Sequence, residues 1–289
     1  MDRSDGRVLW FGPAPQAIGG PGMTNPWLAA GLALFFWWFL TGALLWLVRR
    51  ADLGMGINHR RAVLLSLPLL MCGFLILYLS RDDATPQGVY LAFLSALAIW
   101  AWIELAFLSG VISGPNKSPA PPFATGWQRF KIAAATLLWH EALLICTLLA
   151  IALIIWGQVN QLALWTFGVL FSARVSAKLN LFLGVPRIHT EFLPTPLAHL
   201  ASHFRRASMN WLFPLSIAAL TAATGLWFAS ALSAALPADL IGYSLLATLT
   251  LLALMEHWFM VLPIPDQKLW RWMLPTSPAK SDTTFQVRK

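Results

Sequence analysis

The residues able to do chemistry in this sequence stand out because nearly everything around them is apolar. In "TLLWHEALLICTLL" (residues 136–149), His140 and Glu141 lie side by side in a run that otherwise reads as lipid-soluble. The same exception recurs at Glu104, Arg174, Lys178, Glu256 and His257. An ionisable group inside a bilayer costs about 3 kcal/mol on insertion scales, so it faces a protein interior and pairs with an opposite charge. Arg174 and Lys178 are four residues apart, which places them on one helix face. We expect Glu104, Glu141 and Glu256 to share a polar cluster with these two cations, Glu141 pairing with one of them. A cluster of this kind either fixes helix packing or surrounds a ligand.

The histidines extend the chemistry. A neutral imidazole in a membrane span can ligate the magnesium of a chlorophyll or the iron of a haem, with aromatic rings packed on the macrocycle. His140 follows Trp139 and His257 precedes Trp258, so these four are the candidate ligand or pigment contacts, with Trp37, Trp38, Trp100 and Trp102 deep enough to pack a flat pigment. Downstream, "LPTPLAHLASHFRR" reads as a short helix with Thr195 as N-cap and Pro196 at its first position. His199 and His203 would then share one face, with Leu200 and Phe204 as an apolar stripe at the membrane interface. Facing Glu104, Glu141 and Glu256, the two imidazoles would make an alternative iron or zinc site; two histidines on an interfacial helix are more commonly solvated. His59 and His189 are loop residues without an assigned role.

Known catalytic patterns are missing. No glutamate has a histidine three residues on, as di-iron bundles require. Six histidines with a single H-x-x-x-H fall short of a histidine-box oxygenase. There is no P-loop, no dinucleotide-binding glycine motif, no C-x-x-C and no nucleophile elbow, so no catalytic residue is assigned. Cys72 and Cys146 lie inside apolar runs and read as small buried hydrophobes.

The elements that must position these residues are membrane spans. Of 289 residues 58% are hydrophobic and 11% charged, where a soluble domain carries about 25% charged residues. Apolar runs long enough to cross ~30 Å of hydrocarbon give an all-α integral membrane protein with about seven transmembrane helices. They fall near 27–48, 62–79, 88–112, 132–156, 161–183, 212–235 and 240–262. Residues 1–26 form a flexible tail without a signal peptide, 27–262 the membrane domain, and 263–289 an interfacial segment and tail in which Trp270 and Trp272 flank Arg271. No internal repeat is visible.

Charge orients the bundle. Arg49, Arg50, Arg60, Arg61, Lys117, Arg129, Lys131, Arg187, Arg205, Arg206 and five cations of the tail fall on one side, 15 in all, against Arg3, Arg7 and Arg81 on the other. By the positive-inside rule the amino terminus is exoplasmic and the carboxyl terminus cytoplasmic. The net charge of +8 therefore reflects topology, with the lipid bilayer rather than nucleic acid as partner. The charged span residues all fall in the cytoplasmic half.

Five phrases together resemble a known family: "NPWLAAGLALFFWWFLTGALLWLVRRAD", "IELAFLSGVISGPN", "ARVSAKLNLFLGVPRI", "EFLPTPLAHLASHFRR" and "EHWFMVLPIPDQKLWRWML". They are similar to the PuhE family, photosynthetic complex assembly protein 2 of purple and related phototrophic bacteria, over roughly residues 24–275. The resemblance implies a gene near that of the reaction-centre H subunit, a bacterial inner (intracytoplasmic, photosynthetic) membrane, and reaction-centre or light-harvesting subunits as partners. It implies a non-enzymatic part in assembling those complexes, through bacteriochlorophyll handling or supply, and carries no catalytic motif. Two other readings remain from the residues: a metal-dependent membrane enzyme acting on a tetrapyrrole or isoprenoid intermediate, and a small-molecule transporter. Against transport stand the lack of inverted repeats and of two corresponding broken helices.

Overall fold

A computed structural model describes residues 23–263; the interfacial reading of Trp270, Arg271 and Trp272 and most of the amino-terminal tail lie outside them. Among the described residues the chain is all-helical, with one isolated β-bridge between Val185 and Arg206. The helices are α1 (Pro26–Asp52), α2 (His59–Leu65), α3 (Leu67–Ser80), α4 (Pro86–Leu108), α5 (Gly126–Ala135), α6 (Leu138–Ile154), α7 (Leu162–Leu183), α8 (Leu212–Leu232) and α9 (Pro237–Phe259). Six stretches are long and apolar enough to cross a membrane, α2 and α3 counting as one, and the bent pair α5–α6 brings the number to seven if it is one span. This is a multi-pass membrane protein.

Local chemistry sets the helix starts. Pro26, Pro86 and Pro237 occupy first-turn positions, where a missing N–H costs nothing. Asn25 and Thr85 cap their helices through Trp27 N and Gly88 N. Asn210 Oδ1 accepts from both Leu212 N and Phe213 N at the start of α8.

The core is built on α4 and α9. Two-thirds of each (67%) is buried, against 17% of α1 and 11% of α8, so the latter two form the rim. α4 packs on α3, α7 and α9, while α9 packs on α1, α7 and α8. Gly73 lets α3 approach closely, since a Cβ there would lie 2.8 Å from Ile99 Cγ1. Cys72 and Cys146 point outward, against the expectation that they fill the core, because their side of α3 and α6 forms the apolar outer face. An apolar residue has no reason to be inside when the surroundings are hydrocarbon.

The fourth span differs from the single helix expected over 132–156. It breaks at Thr136–Leu137, and α5 lies 69° from α6. The 17 residues of α6 rise about 25 Å, short of a full crossing. The third span also ends earlier than expected: α4 stops at Leu108, and Gly110 turns the chain with φ of 65°.

Candidate functional site: a charged chamber at the broken span

The break is made by a neighbouring loop. Asn116 N donates to Ala135 O (3.2 Å) and its side-chain amide to Ile132 O (3.2 Å), capping carbonyls that α5 leaves open. His140 N donates to Ser113 O at 2.9 Å, which satisfies an open N–H in the first turn of α6. Gly114 sits so close to the break that a Cβ would collide with the Ala135 carbonyl. The His140–Glu141 pair is therefore not mid-helix. It occupies the first turn of α6, where the helix dipole favours the Glu141 carboxylate.

Two ion pairs cross from this region to α7. Arg174 Nη2 reaches Glu104 Oε2 at 2.7 Å, and Lys178 Nζ reaches Glu141 Oε1 at 2.6 Å. Glu104 is buried on α4, whereas the Arg174 side chain is 37% exposed towards an open chamber. His140 is fully buried, with its ring stacked on Phe107 at 4.2 Å between centroids. Its Nε2 lies 3.7 Å from Glu104 Oε1, beyond hydrogen-bond reach. Neither ring nitrogen has a partner among the described residues. Lys178 Nζ lies 5.2 Å from the same Phe107 ring, a cation–π contact.

Glu256 stands at the edge of this cluster, within electrostatic reach of Arg174 and Glu104 but in direct contact with neither. Glu256 lies on the outer surface of the bundle, and its Oε1 accepts from Trp37 Nε1 of α1 at 2.9 Å. His257, one residue on, points inward and uses both nitrogens. Nδ1 lies 2.8 Å from Ala253 O, which fixes the proton there, so Nε2 accepts from Ser176 Oγ at 2.9 Å. His257 has no lone pair left for a metal. Trp139 is 55% exposed and faces away from His140, while Trp258 packs edge-on against Phe213.

The segment Thr195–His203 is helical but of the 3-10 type, with Pro194 rather than Thr195 at the cap position. Thr195 N instead donates to the Asp52 carboxylate at 3.2 Å. At about 3 residues per turn, side chains four apart diverge by about 120°, so His199 and His203 do not share a face. His203 is buried, its Nε2 3.1 Å from Ser118 O. Burial, then His203 and Lys117 nearby, pushes the His199 imidazole below its ordinary pKa, partly opposed by the Pro196 backbone. The five proposed metal ligands are thus dispersed. No group of three His, Cys, Asp or Glu able to hold a metal occurs among the described residues.

What these elements enclose is a chamber of about 540 Å3. Its walls are Phe130, Ala133 and Ala134 of α5, Phe107 and Leu108 of α4, and Val175, Leu179 and Phe182 of α7. Leu197 and Leu200 pack on Phe107 and close one side. Arg174, Lys178 and Glu141 lie on the lining, with Arg187, His189 and His203 contributed by the connection to α8. The volume falls within the ~300–1,000 Å3 of small-molecule sites, and an apolar wall with a few convergent polar groups is their usual chemistry.

Sequence reasoning missed a second polar network. Asn180 Nδ2 donates to Ser216 Oγ (2.9 Å) and Ser176 O (3.0 Å), and Asn210 Nδ2 donates to Asn180 Oδ1 (3.0 Å). With Ser176 against His257, this ties α7, α8 and α9 together. The signal was present: Ser176 and Asn180 share a helix face inside an apolar run, as Arg174 and Lys178 do.

A family model described as protein of unknown function (DUF3623) matches residues 23–281. The chain is 57% identical over 264 residues to a Rhodobacter capsulatus protein named "Uncharacterized 30.4 kDa protein in puhA 5'region", covering 91% of this chain and 96% of that protein. No solved structure matches.

Proposed function

The chain belongs to the DUF3623 family of proteins of unknown function, and on that footing we propose that it assists the formation of bacterial photosynthetic complexes by holding a tetrapyrrole pigment in the chamber beside the broken span. The observation that carries this reading is the chamber itself, apolar along most of its walls with Glu141, Arg174, Lys178 and Arg187 on its lining. The resemblance to the PuhE family supports the pathway, as does the name of the R. capsulatus relative, which places that protein in the puhA 5' region. The membrane would be the bacterial inner membrane, with bacteriochlorophyll or a precursor as the pigment. Reaction-centre or light-harvesting subunits would be the recipients.

His140 does not itself line this chamber and is fully buried, so it backs the wall rather than offering a nitrogen to the macrocycle. Its ring stacks on Phe107, which lines the chamber. The protein's own part is to hold the macrocycle between apolar walls, to exclude water with Leu197 and Leu200, and to keep the charged lining groups neutralised through the Arg174–Glu104 and Lys178–Glu141 pairs. His257, engaged by Ala253 and Ser176, holds α9 to α7 instead.

Topology follows the positive-inside count, with the chamber opening towards the cytoplasmic side. The test of function is Leu179→Trp, which projects a bulky indole from the wall into the chamber and obstructs a flat ligand. In a phototrophic host deprived of its own copy, the variant should accumulate normally yet lower the yield of reaction-centre and light-harvesting complexes. Wild-type yields with an obstructed chamber would remove the pigment site.

A further inference from the structure

One cation of the chamber is left over. Arg174 and Lys178 are each committed to a carboxylate, Glu104 and Glu141. Arg187 lines the same chamber, and no described residue bonds its guanidinium. Its backbone is nevertheless fixed, because Arg187 N donates to Met260 O at 3.0 Å and the adjoining Val185 pairs with Arg205 and Ala207. The nearby acid, Glu191, is turned to His189 Nδ1 at 3.3 Å. A guanidinium presents a planar fork of donors suited to a carboxylate or phosphate, and here it adjoins a wall of apolar side chains.

We propose that the chamber selects an amphiphilic anion, whose apolar body lies along Phe107, Leu179 and Phe182 and whose acidic group is bound by Arg187. This rests on the pigment reading and deepens it. Tetrapyrrole pigments occur with a free propionic side chain or with that side chain esterified to a long alcohol, and only the free acid carries the charge Arg187 complements. The ligand class is therefore the unesterified tetrapyrrole acid rather than the finished ester. The esterified pigment would leave Arg187 unpaired beside an apolar surface, a loss the site would register as weaker binding. A lipid acid shares the same chemistry, an apolar body with one anionic end.

The test uses the full chain in a non-ionic detergent and three probes: pheophorbide a, its methyl ester and palmitate. The first two share one macrocycle and differ by a single charge. Quenching of tryptophan fluorescence should give about ten-fold tighter binding of the acid than of the ester, the scale of one charge-assisted hydrogen-bonded contact. Arg187→Gln should bring the acid to the affinity of the ester and leave the ester unchanged. Arg187→Glu should place the acid below the ester. Melting temperatures near wild type would show both variants folded, as expected for a side chain that no described residue bonds. Equal binding of acid and ester, or an acid affinity indifferent to Arg187, overturns the inference while leaving the pigment site standing. Palmitate binding that depends on Arg187, with neither tetrapyrrole bound, keeps the anion site and removes the pigment. No binding of any probe removes both.

Discussion

Lys178 of α7 and Glu141 of α6 meet at 2.6 Å, so the first turn of a broken helix is held by a cation from an unbroken span. The pair and its companion, Arg174 with Glu104, explain how four charges are tolerated in an apolar bundle. Each is neutralised within one contact, and the two pairs lie close enough to act on each other.

That account separates the two pairs. Glu104 is nearly enclosed, with 7% of its side chain exposed, against 26% for Glu141. Arg174→Ala strands a buried carboxylate and should cost about 3–5 kcal/mol, whereas Lys178→Ala, beside a more open partner, should cost about 1–3 kcal/mol. Adding Glu104→Gln to Arg174→Ala should recover most of the loss. Thermal unfolding in detergent measures this, and equal small losses for both single variants would mean that the pairs contribute nothing to the fold.

The two histidines should part company in stability. His257 has both nitrogens bonded, so His257→Leu removes two hydrogen bonds, although Ser176 keeps Ser216 and the Ala253 carbonyl its helix partner, and should cost about 1 kcal/mol. His140 has no polar partner to strand, so His140→Leu should be neutral or mildly stabilising to the fold. Any effect on pigment binding would pass through Phe107, the lining residue its ring stacks on. A large stability loss at His140 would show that its ring is a packing element alone.

Gly114 tests the origin of the break. Gly114→Ala drives a methyl group into the Ala135 carbonyl and Thr136, and should destabilise by about 1–3 kcal/mol. Gly31→Ala, with nothing within 4 Å, should be neutral or stabilising and serves as the control. If both variants melt like wild type, the loop at residues 113–116 does not hold α5 and α6 apart.

The spans were legible because each apolar run must satisfy every backbone group internally over a fixed thickness, a constraint that acts locally. The break at Thr136–Leu137 was not, because no proline or glycine marks it. Its cause is a loop that brings Ser113, Gly114 and Asn116 onto the helix backbone from outside. The cost of a charge made Glu104, Arg174 and Lys178 conspicuous, while their exact partners depended on helix rotation. Rotation is why Glu256 turned to Trp37, and why His257, beside it, faced the opposite way into Ser176. His199 and His203 parted because tertiary contacts with Phe107 and Ser118 wound their segment as a 3-10 helix, which spacing alone does not reveal.

The chamber as a pigment site is tested most directly by the absorption spectrum of the protein purified in mild detergent from phototrophically grown cells, read with the tetrapyrrole content of its solvent extract. The account predicts a tetrapyrrole band that co-elutes with the wild-type protein in stoichiometric amount and disappears in a folded Leu179→Trp variant. A colourless wild-type protein whose extract holds no tetrapyrrole, or a band that Leu179→Trp leaves unchanged, would contradict it.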